Sequence, residues 1–268
     1  MPLFRDSSNS RVYLIEVNSI KWLTNDQFFS FGWRIPFLAS AVLVILGLYV
    51  RLTITETPVF REAVTRQERV KVPMVEVFRR HPATLVLGIL VSLTAFVIFY
   101  LMTVFALSWG TTALGFSREK FLVMQLFAIL FFALTIPISA RLAEHGRRRF
   151  LIWVNVAIIA FGLVLGPMFA AGTTGAVMMM VVGMSLVGLV YGPLGTVLSE
   201  LFPTAVRYSG SSLTFNLAGI FGASLAPYAA TYLATHYGLQ YVGYYLSVAG
   251  VLSLAGLSAT RETRDATL

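Results

Sequence analysis

The segment Glu200-Leu-Phe-Pro-Thr-Ala-Val-Arg207 sets a carboxylate and a guanidinium seven residues apart across a proline turn. The chemistry this allows is ionic. At this spacing the two are expected to pair with each other and to fix the ends of the elements on either side. A second charged motif, His145-Gly-Arg-Arg-Arg149, is a tight turn that runs into a basic cluster. On sequence alone, orientation charge at a membrane surface accounts for it as well as any sharper role. Elsewhere the polar residues inside the long apolar runs are neutral: Ser92, Thr94, Tyr100, Gln125, Asn155, Ser185, Tyr191, Asn216 and Tyr228. Such side chains either contact a solute in a polar cavity or hydrogen-bond one helix to the next.

Several chemistries are excluded. The chain has no cysteine, which removes disulfides, thiolate metal sites and cysteine nucleophiles together. No lysine follows Lys120, and no aspartate lies between Asp26 and Asp265. A Schiff-base lysine in a late helix and a buried aspartate pair are therefore both ruled out. His81, His145 and His236 fall at loops, so no histidine lies at depth to activate a serine. The chain is not expected to be an enzyme, and neither a cofactor nor a metal site is expected.

The elements that must position these residues are set by hydropathy. Hydrophobic residues make up 57% of the chain and charged ones only 12%, about half the charge of a soluble domain. Charge-free intervals run over Ile35–Val50, Pro82–Ser117, Phe121–Ala140, Phe150–Ser199 and Tyr208–Thr260. The last two are long enough for a pair of spans each, broken at Gly172-Thr-Thr-Gly175 and at Thr235–Gln240. The reading is an all-α integral membrane protein with seven transmembrane helices.

With the first span running inward, the loops on the inner side hold 14 lysines and arginines and those on the outer side hold 6. The positive-inside rule then places the N-terminus outside and the C-terminus in the cytoplasm. The net charge of +8 is read as this orientation charge, so no nucleic-acid partner is expected. The expected organisation is an extracytoplasmic segment 1–34 with no secretory signal in it, a first transmembrane helix 35–54, a cytoplasmic linker 55–82, a six-helix bundle 83–259 and a cytoplasmic tail 260–268.

The linker is expected to carry two short amphipathic helices on the inner membrane surface. The first starts at Thr57-Pro58 with Phe60 and Val64 on one face. The second starts at Pro73 with Met74, Val77 and Phe78 apolar and Arg79 and Arg80 in its last turn. Within the bundle, small residues recur at spacing four in Gly162/Gly166, Gly188/Gly192 and Gly222/Ala226, which allows close helix approach. Pro137, Pro167, Pro193 and Pro227 interrupt the spans.

Three stretches carry a resemblance: "GWRIPFLASAVLVILGLYVRLTITETPVF" (32–60), "GRRRF" (146–150) and "YGPLGTVLSELFPTAVRYSGSSLTFNLAGIFGASLAPYAATYL" (191–233). Over about residues 23–264 the chain resembles the major facilitator superfamily, and within it the metabolite:proton symporters of proline/betaine, shikimate and oxoglutarate. The stretches resemble that family's sixth span and central loop, its turn between spans eight and nine, and its tenth and eleventh spans. The family has twelve spans in two bundles, so the resemblance implies the sixth to twelfth spans, six of them forming the C-terminal bundle. Residues 1–22 do not resemble the fifth span. Where the family has Asp-Arg before the turn, this chain reads Ala143-Glu144-His145, with Glu144 standing in for the aspartate one residue displaced.

The resemblance implies transport of a small organic metabolite by proton symport across a bacterial-type inner membrane. Tyr100, Gln125, Tyr191 and Asn216 are the implied solute-binding candidates. Glu144, Gly146, Arg147, Arg148, Glu200 and Arg207 are the implied inner-gate residues. The implied partners are the solute, the proton and the lipid bilayer, with a separate N-terminal half or a second copy completing the cavity. On this reading the chain is a truncated or partial transporter. A non-transporting scaffold, partner subunit or inactive fragment is the alternative.

Overall fold

The computed structural model describes residues 25–53, 73–144 and 146–260. Among them every regular element is a helix. The chain divides into two compact units, residues 1–66 and 67–268. In the first, a helical turn Asn25–Gln27 and a π turn Phe28–Gly32 lead into α1, Arg34–Thr53. Arg34 donates to the carbonyl of Ser30 and lies 4.6 Å over the ring of Trp33. The charge that opens α1 is thus met by a carbonyl and an aromatic face. The most apolar part of α1, Ser40–Val50, is shorter than the spans of the second unit.

The first described helix of the second unit is α2, Pro73–Arg80, closed by an i,i+4 pair between Glu76 and Arg80 at 2.9 Å. Its apolar residues divide. Val77 is fully buried against Leu85, Phe202 and Val206, whereas Met74 and Phe78 are exposed. The helix expected at Thr57–Val72 lies outside the described residues, as do His145 and the tail from Arg261 onward.

Six helices follow, each long and apolar enough to cross a membrane: α3 Pro82–Thr112, α4 Arg118–Ala143, α5 Arg147–Ala170, α6 Gly172–Glu200, α7 Arg207–His236 and α8 Leu239–Ala259. α4 opens on Ser117, whose side chain accepts from the Lys120 amide, an ordinary N-cap. Two of the connecting turns are very short. α5 stops at Ala170 and α6 starts at Gly172, so the break expected over Gly172–Gly175 is helical throughout and the reversal falls at Ala171 and Gly172. Gly172 at φ +75 and Gly238 at φ +100 make these reversals, conformations that an L side chain resists.

Close helix approach holds the bundle together. A Cβ on Gly162 of α5 would strike the backbone carbonyl of Gly243 on α8 at 2.6 Å, and a Cβ on Gly188 would meet that of Phe132 on α4 at 2.5 Å. Gly192 lies against Ser139 and Ile136 in the same α4–α6 seam. Polar residues tie these seams. Thr94 Oγ1 is 2.9 Å from the carbonyl of Ala249 and 2.6 Å from Ser253 Oγ, joining α3 to α8. Ser92, Asn155 and Ser185 instead donate to carbonyls four residues back in their own helices. Tyr228 is exposed. Large apolar side chains, among them Phe105, Phe121, Phe169, Ile158, Met179 and Met180, fill the middle.

Candidate functional site

Two polar regions stand out, one midway along the spans and one at a bundle end. The first is a cleft of about 270 Å³ between α3 and α7, lined by Phe96, Tyr100, Phe215, Asn216, Gly219, Ile220, Ala223 and Ser224. Phe96 and Tyr100 are one turn apart and share a face of α3. Residues 215–224 present one face of α7, because positions three and four apart stack along a helix. The rings of Phe96 and Phe215 meet edge-on at 4.8 Å. Asn216 donates to the carbonyl of Ser212 at 2.8 Å, which leaves its amide oxygen as an acceptor. The cleft has no ionisable side chain other than the Tyr100 phenol.

Both cleft helices depart from α geometry beside it. Leu101–Phe105 of α3 and Ile220–Ser224 of α7 are π-helical, a distortion often found at functional positions. Gly222 seats the second segment on α3, since a Cβ there would lie 2.5 Å from Phe96 Cβ.

Of the four solute-binding candidates, the structure brings Tyr100 and Asn216 together in the cleft and places the other two elsewhere. Gln125 of α4 donates through Nε2 to the carbonyls of Met102 at 3.0 Å and Thr103 at 2.8 Å. Tyr191 packs among aromatic rings, 5.8 Å from Phe132 and 6.3 Å from Phe99, and does not line the cleft. Phe96, Phe215 and Ser224 were missed by sequence reasoning. The signal for them is the helical phase they share with Tyr100 and Asn216.

The second region lies where α4, α6 and α8 end and α5 and α7 begin. Arg147 Nη1 and Glu200 Oε1 are 2.5 Å apart, and the Glu200 side chain is only 6% exposed. This corrects the sequence expectation that Glu200 pairs with Arg207. Arg207 instead directs Nε toward the Phe202 carbonyl at 3.4 Å, because the turn between α6 and α7 folds its own backbone under the guanidinium. Arg148 donates to the carbonyls of Leu257 at 2.8 Å and Ser258 at 2.9 Å. It thereby caps the last turn of α8 with a cation, which suits the negative end of the helix dipole. Gly146, at φ +148, makes the turn into α5, and Glu144 caps α4 through its backbone. Among the described residues the Glu144 side chain forms no ion pair. No group of residues suited to a metal ion occurs among them either.

The class of protein follows from this arrangement: a multi-span helical membrane protein with an uncharged mid-span cleft. The chain belongs to the major facilitator superfamily, whose family model matches residues 28–222. It is 42% identical over 257 residues to an inner membrane metabolite transport protein of Escherichia coli (strain K12), a match covering 93% of this chain and 58% of that protein. It is 33% identical to the shikimate transporter of the same organism, over 80% of this chain and 50% of that one. It is 25% identical to the proline/betaine transporter of Salmonella typhimurium, over 90% and 50% respectively. The chain thus spans between half and three-fifths of the length of these relatives. Its fold is similar to that of a D-xylose-proton symporter, with a TM-score of 0.63 and 19% identity, covering 96% of this chain and 62% of that one.

Proposed function

We propose that this chain forms the C-terminal, solute-binding bundle of a proton-coupled carrier of small organic metabolites, of the metabolite:proton symporter kind. The observation that carries this reading is the cleft at Phe96, Tyr100 and Asn216, placed midway along the spans, where carriers built from two bundles hold their solute. Asn216 and Tyr100 would contact the solute's polar groups, and the rings of Phe96 and Phe215 its apolar or onium face. Glu200 with Arg147, and Arg148 with the end of α8, would brace the inner end, beside Gly146, Glu144 and Arg207.

The excess of basic residues supports placing that end in the cytoplasm and the N-terminus outside. The carboxylates of the six spans, Glu119 and Glu200, sit in the first turn of α4 and at the last residue of α6 rather than at mid-depth, so the proton would be handled by a second bundle, supplied by a separate N-terminal half or a second copy. Burial supports the need for one. The most apolar windows of α4 and α7 are 17% and 28% buried, against 44% or more in the other four spans.

The test is uptake into proteoliposomes under an imposed proton gradient, by the chain alone and with a co-reconstituted first bundle. Betaine, shikimate and dicarboxylates are the first solutes to try. Gradient-driven accumulation that Asn216→Ala weakens supports the reading. Absence of accumulation in both preparations ends it.

A further inference from the structure

Gln125 carries a role that its sequence context does not suggest. In the π segment of α3, the Ala106 amide donates to the carbonyl of Leu101, five residues back, rather than to that of Met102. Gln125 reaches across from α4 and donates to Met102 at 3.0 Å and to Thr103 at 2.8 Å. Both N–H groups of its carboxamide are engaged by backbone, so the same nitrogen has none left for a solute.

A π turn adds one residue to the helix without adding a turn, so everything beyond it is rotated by about 100° relative to a continuous α-helix. In α3 this separates two functions along one helix. Before the segment, Phe96 and Tyr100 face the cleft. After it, Ala106 is buried in the core and Trp109 stacks on Phe105 at 5.9 Å. Met102 sits in a notch left by Gly183 of α6, where any Cβ would strike its sulfur. A return to α geometry would move Met102 out of that notch and give its carbonyl back to the Ala106 amide.

We propose that Gln125 is a positioning residue: by donating to the Met102 and Thr103 carbonyls it holds α3 in the π register. That register fixes the phase between the cleft-facing half at Phe96 and Tyr100 and the core-seated half at Phe105 and Trp109. The significance for solute binding rests on the cleft reading above. The register itself does not, and the two are tested separately.

The full chain carrying Trp22→Phe, Trp33→Phe and Trp153→Phe keeps Trp109 as its one tryptophan of four. In lipid nanodiscs, quenching of Trp109 by acrylamide and by brominated lipid is compared between this parent and its Gln125→Met derivative. Methionine keeps the side chain's length and removes both donors. The expected result is at least a twofold rise in combined quenching as Trp109 swings out of the core, in protein whose unfolding remains cooperative. Gln125→Leu, which likewise has no donor, is expected to do the same and serves if Gln125→Met does not fold.

Quenching equal to the parent in a folded variant overturns the proposal, whether or not solute binding changes. If binding is lost with quenching unchanged, Gln125 is a solute ligand instead. If no version binds solute, the cleft reading fails while the quenching result still decides what Gln125 does.

Discussion

Arg147, at the start of α5, and Glu200, at the end of α6, are joined at 2.5 Å although 53 residues of sequence separate them. A charge-assisted bond with one nearly buried partner is worth more than an exposed ion pair. A double-mutant cycle between Arg147→Ala and Glu200→Ala should return a coupling of about 1–3 kcal/mol in thermal or denaturant unfolding. The corresponding cycle with Arg207→Ala should be additive to within about 0.5 kcal/mol, because Arg207 is engaged by the Phe202 carbonyl.

Gly162→Ala should destabilise the bundle by about 1–3 kcal/mol, the usual range for overpacking. Its new methyl would meet the rigid carbonyl of Gly243 at 2.6 Å. Gly195→Ala, with nothing within 4 Å of the added carbon, should be neutral or stabilising by up to about 1 kcal/mol through helix propensity. Unfolding midpoints of the two variants in one detergent provide the comparison.

Thr94→Val removes the hydroxyl that meets Ala249 and Ser253 on α8. Interhelical hydrogen bonds in membranes average about 0.6 kcal/mol and reach about 1.7. The expected loss lies in that range, and the part owed to Ser253, though not that owed to the Ala249 carbonyl, is absent when Ser253→Ala is already in place. Unfolding of the two single variants and the double variant measures this.

Asn216→Ala should weaken solute binding about 2- to 10-fold, the equivalent of one lost hydrogen bond. Tyr100→Phe should have an effect in the same range if its hydroxyl touches the solute, and Phe96→Ala should exceed both by removing a ring from the cleft wall. Equilibrium binding of radiolabelled solute to the reconstituted protein checks the order of the three.

Much of the fold was legible because a bilayer makes charge placement decisive. Arg141 and Arg147 bracket one turn, and the runs between charged residues give the spans to within a few positions. Tyr100 and Asn216, named through the family resemblance, both line the cleft. The pairings were not legible. Glu200 was assigned to Arg207 because the two are near in sequence, whereas α5 and α6 run back along each other and return Arg147 to the same end. Gln125 was named as a solute contact through the family resemblance alone. Its partners are backbone carbonyls whose freedom depends on a π turn, and neither "LMTVF" nor "IFGAS" signals one. Hydropathy records which residues leave water. It does not record which distant backbone groups they meet.

The short turn between α7 and α8 has a mechanical consequence. Only Tyr237 and Gly238 separate the two helices, and two residues give at most about 7 Å of slack. At its other end α7 is joined to α6 through residues 201–206, a tether about three times as long. The wall of the cleft that carries Asn216 is therefore held near His236 by a short covalent link, and near Arg207 by packing, with Val206 and Phe202 buried against Val77 and Leu85.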